Sequence, residues 1–227
     1  MTATDHNDEL TTYYGLLRRI HAHLRPRRYL EIGVHKGHSL AFVQPGTEVV
    51  GVDPEPMLEQ APPAHTAIVA DTSDAFFTDD RYGFLRREPF DLVFVDGLHL
   101  YEQALADVLQ AERLCAPGAA ILVHDCLPPD ATTAARDRTG VVWAGDVWKA
   151  IVALQTHRPD LGVHVAQADP TGMGIVTDLD PSQPERPDWF DVAVDELVAV
   201  GFDDPVRGPG RFEPIDNRWS AIEAVLP

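Results

Sequence analysis

What constrains this chain most is a short apolar strand, a glycine turn, and a second apolar strand closed by an acid. Residues 29–39 read Tyr-Leu-Glu-Ile-Gly-Val-His-Lys-Gly-His-Ser, and residues 49–54 read Val-Val-Gly-Val-Asp-Pro. The first run predicts a strand over Arg28 to Ile32, with Gly33 to Gly37 turning the chain toward a helix over His38 to Val43. The second predicts a strand over Glu48 to Val52, ending on Asp53. A nucleotide-like cofactor needs both parts: glycines that let backbone come close, and an acid that accepts from ribose hydroxyls. The spacing is Glu-x-Gly-x-x-x-Gly rather than Gly-x-Gly-x-x-Gly, so no tight pyrophosphate cradle is expected.

The same alternation continues. Asp8 to His23 carries Leu10, Tyr13, Tyr14, Leu16, Leu17 and Ile20 at helical spacing and stops at Pro26. His65 to Val69 predicts a third strand, and Ser73 to Phe84 a helix that decays into loop. Leu-Val-Phe-Val between Asp91 and Asp96 suits a parallel strand buried on both faces. A helix over Tyr101 to Leu114, a turn at Pro117-Gly118 and a strand over Ala119 to His124 follow. Beyond a linker over Leu127 to Gly140, a helix is expected over Asp146 to His157, with Asp146 as its N-cap. Leu161 to Ala166 and Gly174 to Thr177 read as a hairpin around Asp169-Pro170-Thr171-Gly172. After Pro181 the composition shifts, with a helix over Asp188 to Val200 and an end carrying Trp219, Ile222 and Val225 for packing back. The expected fold is α/β: a Rossmann-like, mostly parallel sheet, helices on both faces, and a terminal antiparallel hairpin with one antiparallel strand at the edge. One domain over residues 1–227 is expected, with a helical addition at 1–27, a core at 28–180 and an extension at 181–227.

Ligands on such sheets bind outside the carboxyl ends of the strands, where Glu31, Asp53, Asp71, Asp96 and Asp125 all fall. Asp96, His99 and Asp125 are expected to converge at the crevice mouth. Two carboxylates from neighbouring strands can hold Mg²⁺, and His99 can act as a base near neutral pH. Read alone, His99 is also compatible with a turn histidine satisfied by backbone. Trp143, Trp148 and Lys149 either line or close a substrate pocket or, as tryptophans at this spacing commonly do, pack inside. His21 and His23 are two apart and face differently, so they form no helical metal pair.

Taken together, the glycine turn, Asp53, the run Phe90-Asp-Leu-Val-Phe-Val-Asp-Gly-Leu-His-Leu-Tyr-Glu and the ending Val-His-Asp-Cys at 123–126 resemble the class I S-adenosylmethionine-dependent methyltransferases. The likeness is to the branch with Asp-Gly-x-His-x-Tyr after strand four, and it spans roughly Arg28 to Thr177. It implies that Glu31, Gly33 and Gly37 form the first cofactor motif and that Asp53 binds the ribose. It also implies that Asp71, Thr72 and Ser73 meet the adenine, although an Asp or Ser before a helix equally reads as an N-cap. Asp96 is expected to serve the cofactor as well as, with His99 and Asp125, the catalytic step. Related enzymes use magnesium with a further oxygen ligand after the strand-five acid, where this chain has Cys126, a soft ligand poorly suited to Mg²⁺.

Composition narrows the partners. A net charge of −18 opposes any phosphate-binding surface, so neither DNA nor RNA is expected. No apolar run has the length of a membrane span. Cys115 and Cys126 do not form a disulfide framework, and with no signal segment visible a reducing cytoplasm is expected. The expected activity is transfer of a methyl group from S-adenosylmethionine to a small molecule, at a hydroxyl oxygen of a sugar or other natural-product intermediate, either with Mg²⁺ on Asp96 and Asp125 or without a metal, Asp125 then only orienting substrate or His99. The expected partners are that acceptor and at most a second copy of the chain. The alternatives are a nicotinamide-dependent oxidoreductase, for which the second glycine and a Tyr-x-x-x-Lys pair are lacking, and a non-catalytic binding module on the same fold.

Overall fold

The computed structural model describes residues 11–138 and 140–227; residues 8–10 of the expected first helix lie outside them. The chain runs α1 (Tyr13–Leu24), β1 (Arg28–Ile32), β2 (Glu48–Val52), β3 (Thr66–Val69), α2 (Ser73–Thr78), β4 (Phe90–Val95), α3 (Tyr101–Glu112) and β5 (Cys115–His124). It continues through α4 (Trp148–His157), β6 (Gly162–Ala166), β7 (Met173–Thr177), α5 (Phe190–Val198) and α6 (Trp219–Glu223).

The strands form a seven-stranded sheet in the order β3-β2-β1-β4-β5-β7-β6. β1 to β5 are mutually parallel, while β7 runs antiparallel to both β5 and β6. The expected hairpin is therefore present, but its antiparallel strand lies one place in from the edge, because β7 slots between β5 and β6. Period-two alternation divides the core. Leu30, Ile32, Val50, Val52, Val93 and Val95 face α2, α3, α4 and α5. Tyr29, Val49, Leu92 and Phe94 face α1 and the C-terminal Ile222, with Trp219 and Val225 packed against that second layer.

Three elements differ from expectation. The turn after β1 enters a 3-10 turn, Ser39–Phe42, and no α-helix; Pro45 and Gly46 leave too few residues for one. β5 begins at Cys115 and not Ala119, since the pairing with β4 steps from Phe90↔Cys115 to Leu92↔Ala120 and absorbs Pro117-Gly118 as a bulge. Asp146 does not cap α4, whose N-cap Val147 makes no side-chain bond. Its carboxylate accepts from the backbone N–H of Tyr101 instead, closing the start of α3 from a distant loop.

Candidate active site

Register fixes the site. Ile32 pairs with Val52 and Val95, and Val95 pairs with Val123, so Gly33, Asp53, Asp96 and His124 leave the sheet at one level. They border a cavity of about 820 Å³, within the usual range of about 300–1,000 Å³ for ligand pockets.

At one end lies the half lined by residues expected to meet the cofactor. Asp53 is nearly buried, and its carboxylate accepts from the backbone N–H groups of His35 (2.7 Å) and Glu55 (2.8 Å). Each carboxylate oxygen has two acceptor sites, so this leaves capacity facing the cavity. Thr72, Ser73 and Asp74 form the next wall with Gln103. Thr72 also caps α2, accepting from Ala75 N–H, so the cap and pocket readings of this segment coexist. The Gln103 amide donates to Ser73, Asp74 and Asp107 and ties that wall to α3.

Three expected residues have other surroundings, and a fourth has a further reason for its identity. Glu31 is fully buried outside the cavity lining, where it accepts from the hydroxyls of Tyr29 and Ser39. Burial pushes it up to about 8 against the lowering effect of those two bonds. Gly37 has φ +74° but lies behind the cavity, against Leu58. Asp71 turns away to accept from Tyr82 and Arg81. Gly33 does line the cavity, yet its glycine is demanded by the fold: at φ +90°, a Cβ would lie 2.0 Å from the Asp96 carbonyl oxygen.

Opposite the cofactor half, Asp96, His99, His124 and Asp125 form one cluster. Asp125, just past β5, adopts φ +65°, a rare conformation for a side-chain-bearing residue, and its carboxylate reaches both histidines. His124 Nδ1 lies 3.1 Å from Asp96 and 3.4 Å from Asp125. Burial lowers the His124 pKa, but the two carboxylates overcome it and push it up to about 10. Asp125 is pulled upward by its own burial, yet the His124 and His99 rings hold it below the ordinary carboxylate range. As an imidazolium, His124 offsets one of the two negative charges of the acid pair.

His99 differs. Its Nδ1 faces the Trp143 carbonyl oxygen at 2.8 Å and Asp125 at 3.1 Å, both acceptors. A carbonyl cannot donate, so Nδ1 carries the proton and Nε2, 3.7 Å from Asp96, holds the free lone pair. The loop that imposes this tautomer is held closely. Trp143 stacks on the His99 ring at 4.8 Å and 17°, and its indole N–H donates to Ala135. Gly145 must be glycine, because at φ +61° a Cβ would meet the His99 carbonyl oxygen at 1.8 Å.

Trp148 and Lys149 are corrected. Neither borders the cavity; Trp148 is buried in the core, and the Lys149 ammonium lies on Asp146 (3.0 Å) and the Val198 carbonyl (2.8 Å). Trp143 precedes the helix, whereas both of these residues open α4 on the side it buries. Three contributors were missed. His124 reads as the last residue of a buried strand. Tyr13 and Tyr14 reach the cavity because the β6–β7 turn pins the start of α1, with Asp169 N–H donating to Thr11 and Tyr13 N–H to Asp169. The Tyr13 ring then packs 4.0 Å from His124.

As to metal, Asp96, His124 and Asp125 can each turn one ligand atom into a common space, all within 4.8 Å of one another. Cys126 is buried with its thiol donating to backbone carbonyls, so it supplies no ligand. Two carboxylates and one imidazole fit a divalent cation, with Mn²⁺ or Fe²⁺ suited better than Mg²⁺, once Nδ1 of His124 gives up its proton.

The parallel order 3-2-1-4-5 extended by an antiparallel seventh strand, with an acid-lined crevice at the carboxyl ends, is the fold of the class I S-adenosylmethionine-dependent methyltransferases. Residues 30–126 match a family described as a methyltransferase domain. No curated protein matches the sequence. Among solved structures, cofactor-bound Rv0187 from MTB is similar at 18% identity and TM-score 0.58, over 79% of this chain and 83% of that one. The O-methyltransferase TomG from Streptomyces achromogenes, involved in tomaymycin synthesis and in complex with SAM, is similar at 21% identity and TM-score 0.56, over 73% and 78%. No helix among the described residues is long and apolar enough to cross a membrane.

Proposed function

We propose that the chain is an S-adenosylmethionine-dependent methyltransferase that acts on a hydroxyl oxygen of a small molecule. The observation that carries the reading is the setting of His99: its Nδ1 faces two acceptors, the Trp143 carbonyl oxygen and Asp125, and from that we infer that Nε2 is the base at the cavity. The O-methyltransferase activity of TomG supports oxygen as the acceptor atom. The cofactor, when bound, supplies a methyl group on a positively charged sulfur. Asp53 would hold its ribose, and the wall of Thr72, Ser73 and Gln103 its adenine. His99 Nε2 accepts the hydroxyl proton as the acceptor oxygen bonds to the methyl carbon and the carbon–sulfur bond breaks, its electron pair passing to sulfur. The resulting imidazolium lies between Asp96 and Asp125, which stabilise it. A divalent cation would be held by Asp96, Asp125 and His124 and would lower the pKa of a bound acceptor hydroxyl.

A nicotinamide dinucleotide fits less well. The four-residue 3-10 turn after β1 aims no helix N-terminus at a pyrophosphate. The test is calorimetry with S-adenosylmethionine and with NADH, followed by methyl transfer to hydroxylated acceptors. His99→Ala should lower kcat by about 10²–10⁴-fold, the usual worth of a general base, with cofactor affinity unchanged. Binding of NADH and not S-adenosylmethionine would overturn the reading.

A further inference from the structure

The acceptor side of the cavity carries a signature of its own. Beyond His99 its rim is formed by Leu98, Val141 and Val142, exposed by 55%, 94% and 49%. Three of the eight exposed large hydrophobic residues among those described therefore gather on one rim, next to the indole of Trp143. Exposed apolar side chains that gather at a crevice mark a surface that is covered in use. Beside them stands Arg138. One lysine and one arginine line this cavity, Lys36 and Arg138. Lys36 is neutralised by Glu59 at 2.6 Å. Arg138 has no carboxylate within 4.0 Å among the described residues, in a chain of net charge −18. Its guanidinium lies 5.9 Å from the centre of the Trp143 ring, which stacks at 4.8 Å on His99. The cation therefore stands on the acceptor side, one aromatic ring away from the base.

Resting on the methyltransferase reading, we propose that the acceptor is an aromatic hydroxy acid. Its hydroxyl meets His99, its ring lies against Trp143 and the Leu98–Val141–Val142 rim, and its carboxylate pairs with Arg138. A guanidinium beside an aromatic face suits a planar carboxylate held in the plane of a ring. Sugars, whose hydroxyls surround only a small C–H face, would leave more of the three rim side chains in water than an aromatic ring would.

The experiment uses the full chain loaded with S-adenosylhomocysteine. Kd is measured by calorimetry for 3- and 4-hydroxybenzoate, for their uncharged carboxamides, and for glucuronate and glucose as non-aromatic partners. At least one hydroxybenzoate is expected to bind tenfold or more tightly than its carboxamide. Arg138→Met should reduce that ratio to near one, and Arg138→Lys should restore part of it. Neither variant should shift the Kd for S-adenosylmethionine more than twofold. Equal affinity for acids and carboxamides, or tighter binding of glucuronate, overturns the proposal and leaves the methyltransferase reading standing. So does a loss of S-adenosylmethionine affinity in Arg138→Met, which would assign the guanidinium to the cofactor carboxylate. Failure of S-adenosylhomocysteine itself to bind overturns both.

Discussion

Asp146 tests the structure where it departs furthest from what its sequence position suggests. Its carboxylate is 1% exposed and takes three donors: Tyr101 N–H at 2.9 Å, Arg136 Nη1 at 2.7 Å and Lys149 Nζ at 3.0 Å. Asp146→Ala leaves Lys149 buried with only the Val198 carbonyl and leaves the first N–H of α3 without an acceptor. Arg136 keeps Glu102 and loses less. Breaking a buried ion pair from one side costs about 3–5 kcal/mol, and losing a helix cap about 1 kcal/mol more. That is a large share of the roughly 5–15 kcal/mol that holds a domain folded. With a urea m-value of about 2–3 kcal/mol/M, the unfolding midpoint should fall by roughly 1.3–3 M. Adding Lys149→Met should recover part of the loss, because the stranded cation is then gone. The assay is equilibrium urea denaturation of the four proteins of the cycle, with acceptor KM measured alongside. A cost under about 1 kcal/mol for Asp146→Ala would refute the buried network. So would a Lys149→Met protein of normal midpoint and raised acceptor KM, which would return Lys149 to the substrate.

Asp53→Ala should weaken S-adenosylmethionine binding by roughly tenfold or more per ribose hydrogen bond lost, at about 1.5–3 kcal/mol each; calorimetry showing parent affinity in a folded variant would displace Asp53 from the cofactor. Exhaustive EDTA treatment should lower turnover and Mn²⁺ should restore it better than Mg²⁺, whereas full activity after chelation would leave the base to act alone. Burial raises Glu31 from 4.5 unfolded to about 8 folded, so the folded state binds this proton more tightly. Its stabilising effect is complete below about pH 4.5 and is lost as pH rises toward 8, by at most about 1.4 kcal/mol per pH unit. Glu31→Gln should flatten the fall in urea midpoint over that range, and an unchanged slope would place the proton elsewhere.

The strands and their acid ends were legible because a sheet buried on both faces writes continuous apolar runs closed by polar residues, as in Leu92–Val95 before Asp96. The convergence of Asp96, His99 and Asp125 followed from strand order alone. What sequence reading missed depends on contacts that no local pattern encodes. His124 owes its role to a register that sets it beside Asp96, 28 residues away in sequence. Tyr13 reaches the site only because the turn at Asp169 grips the start of α1. Asp146 looks like the cap of the helix it precedes but closes one that began 45 residues earlier. Gly33 announces a close approach correctly, yet the approaching atom is the protein's own Asp96 carbonyl.

The placement of β7 between β5 and β6 bears on how the chain assembles as it is made. β6 leaves the ribosome before β7, yet it touches only β7 in the sheet and has nothing to join until Met173–Thr177 arrive. Until then β5 presents an open edge of Ile121, Leu122, Val123 and His124, all of which β7 later covers. An unpaired apolar edge in mid-sheet is a template for another chain. Fragments that stop short of residue 173 therefore keep the whole parallel half, including Asp53 and Asp96, and expose its stickiest strand, so they should be recovered as aggregates where the complete chain is not.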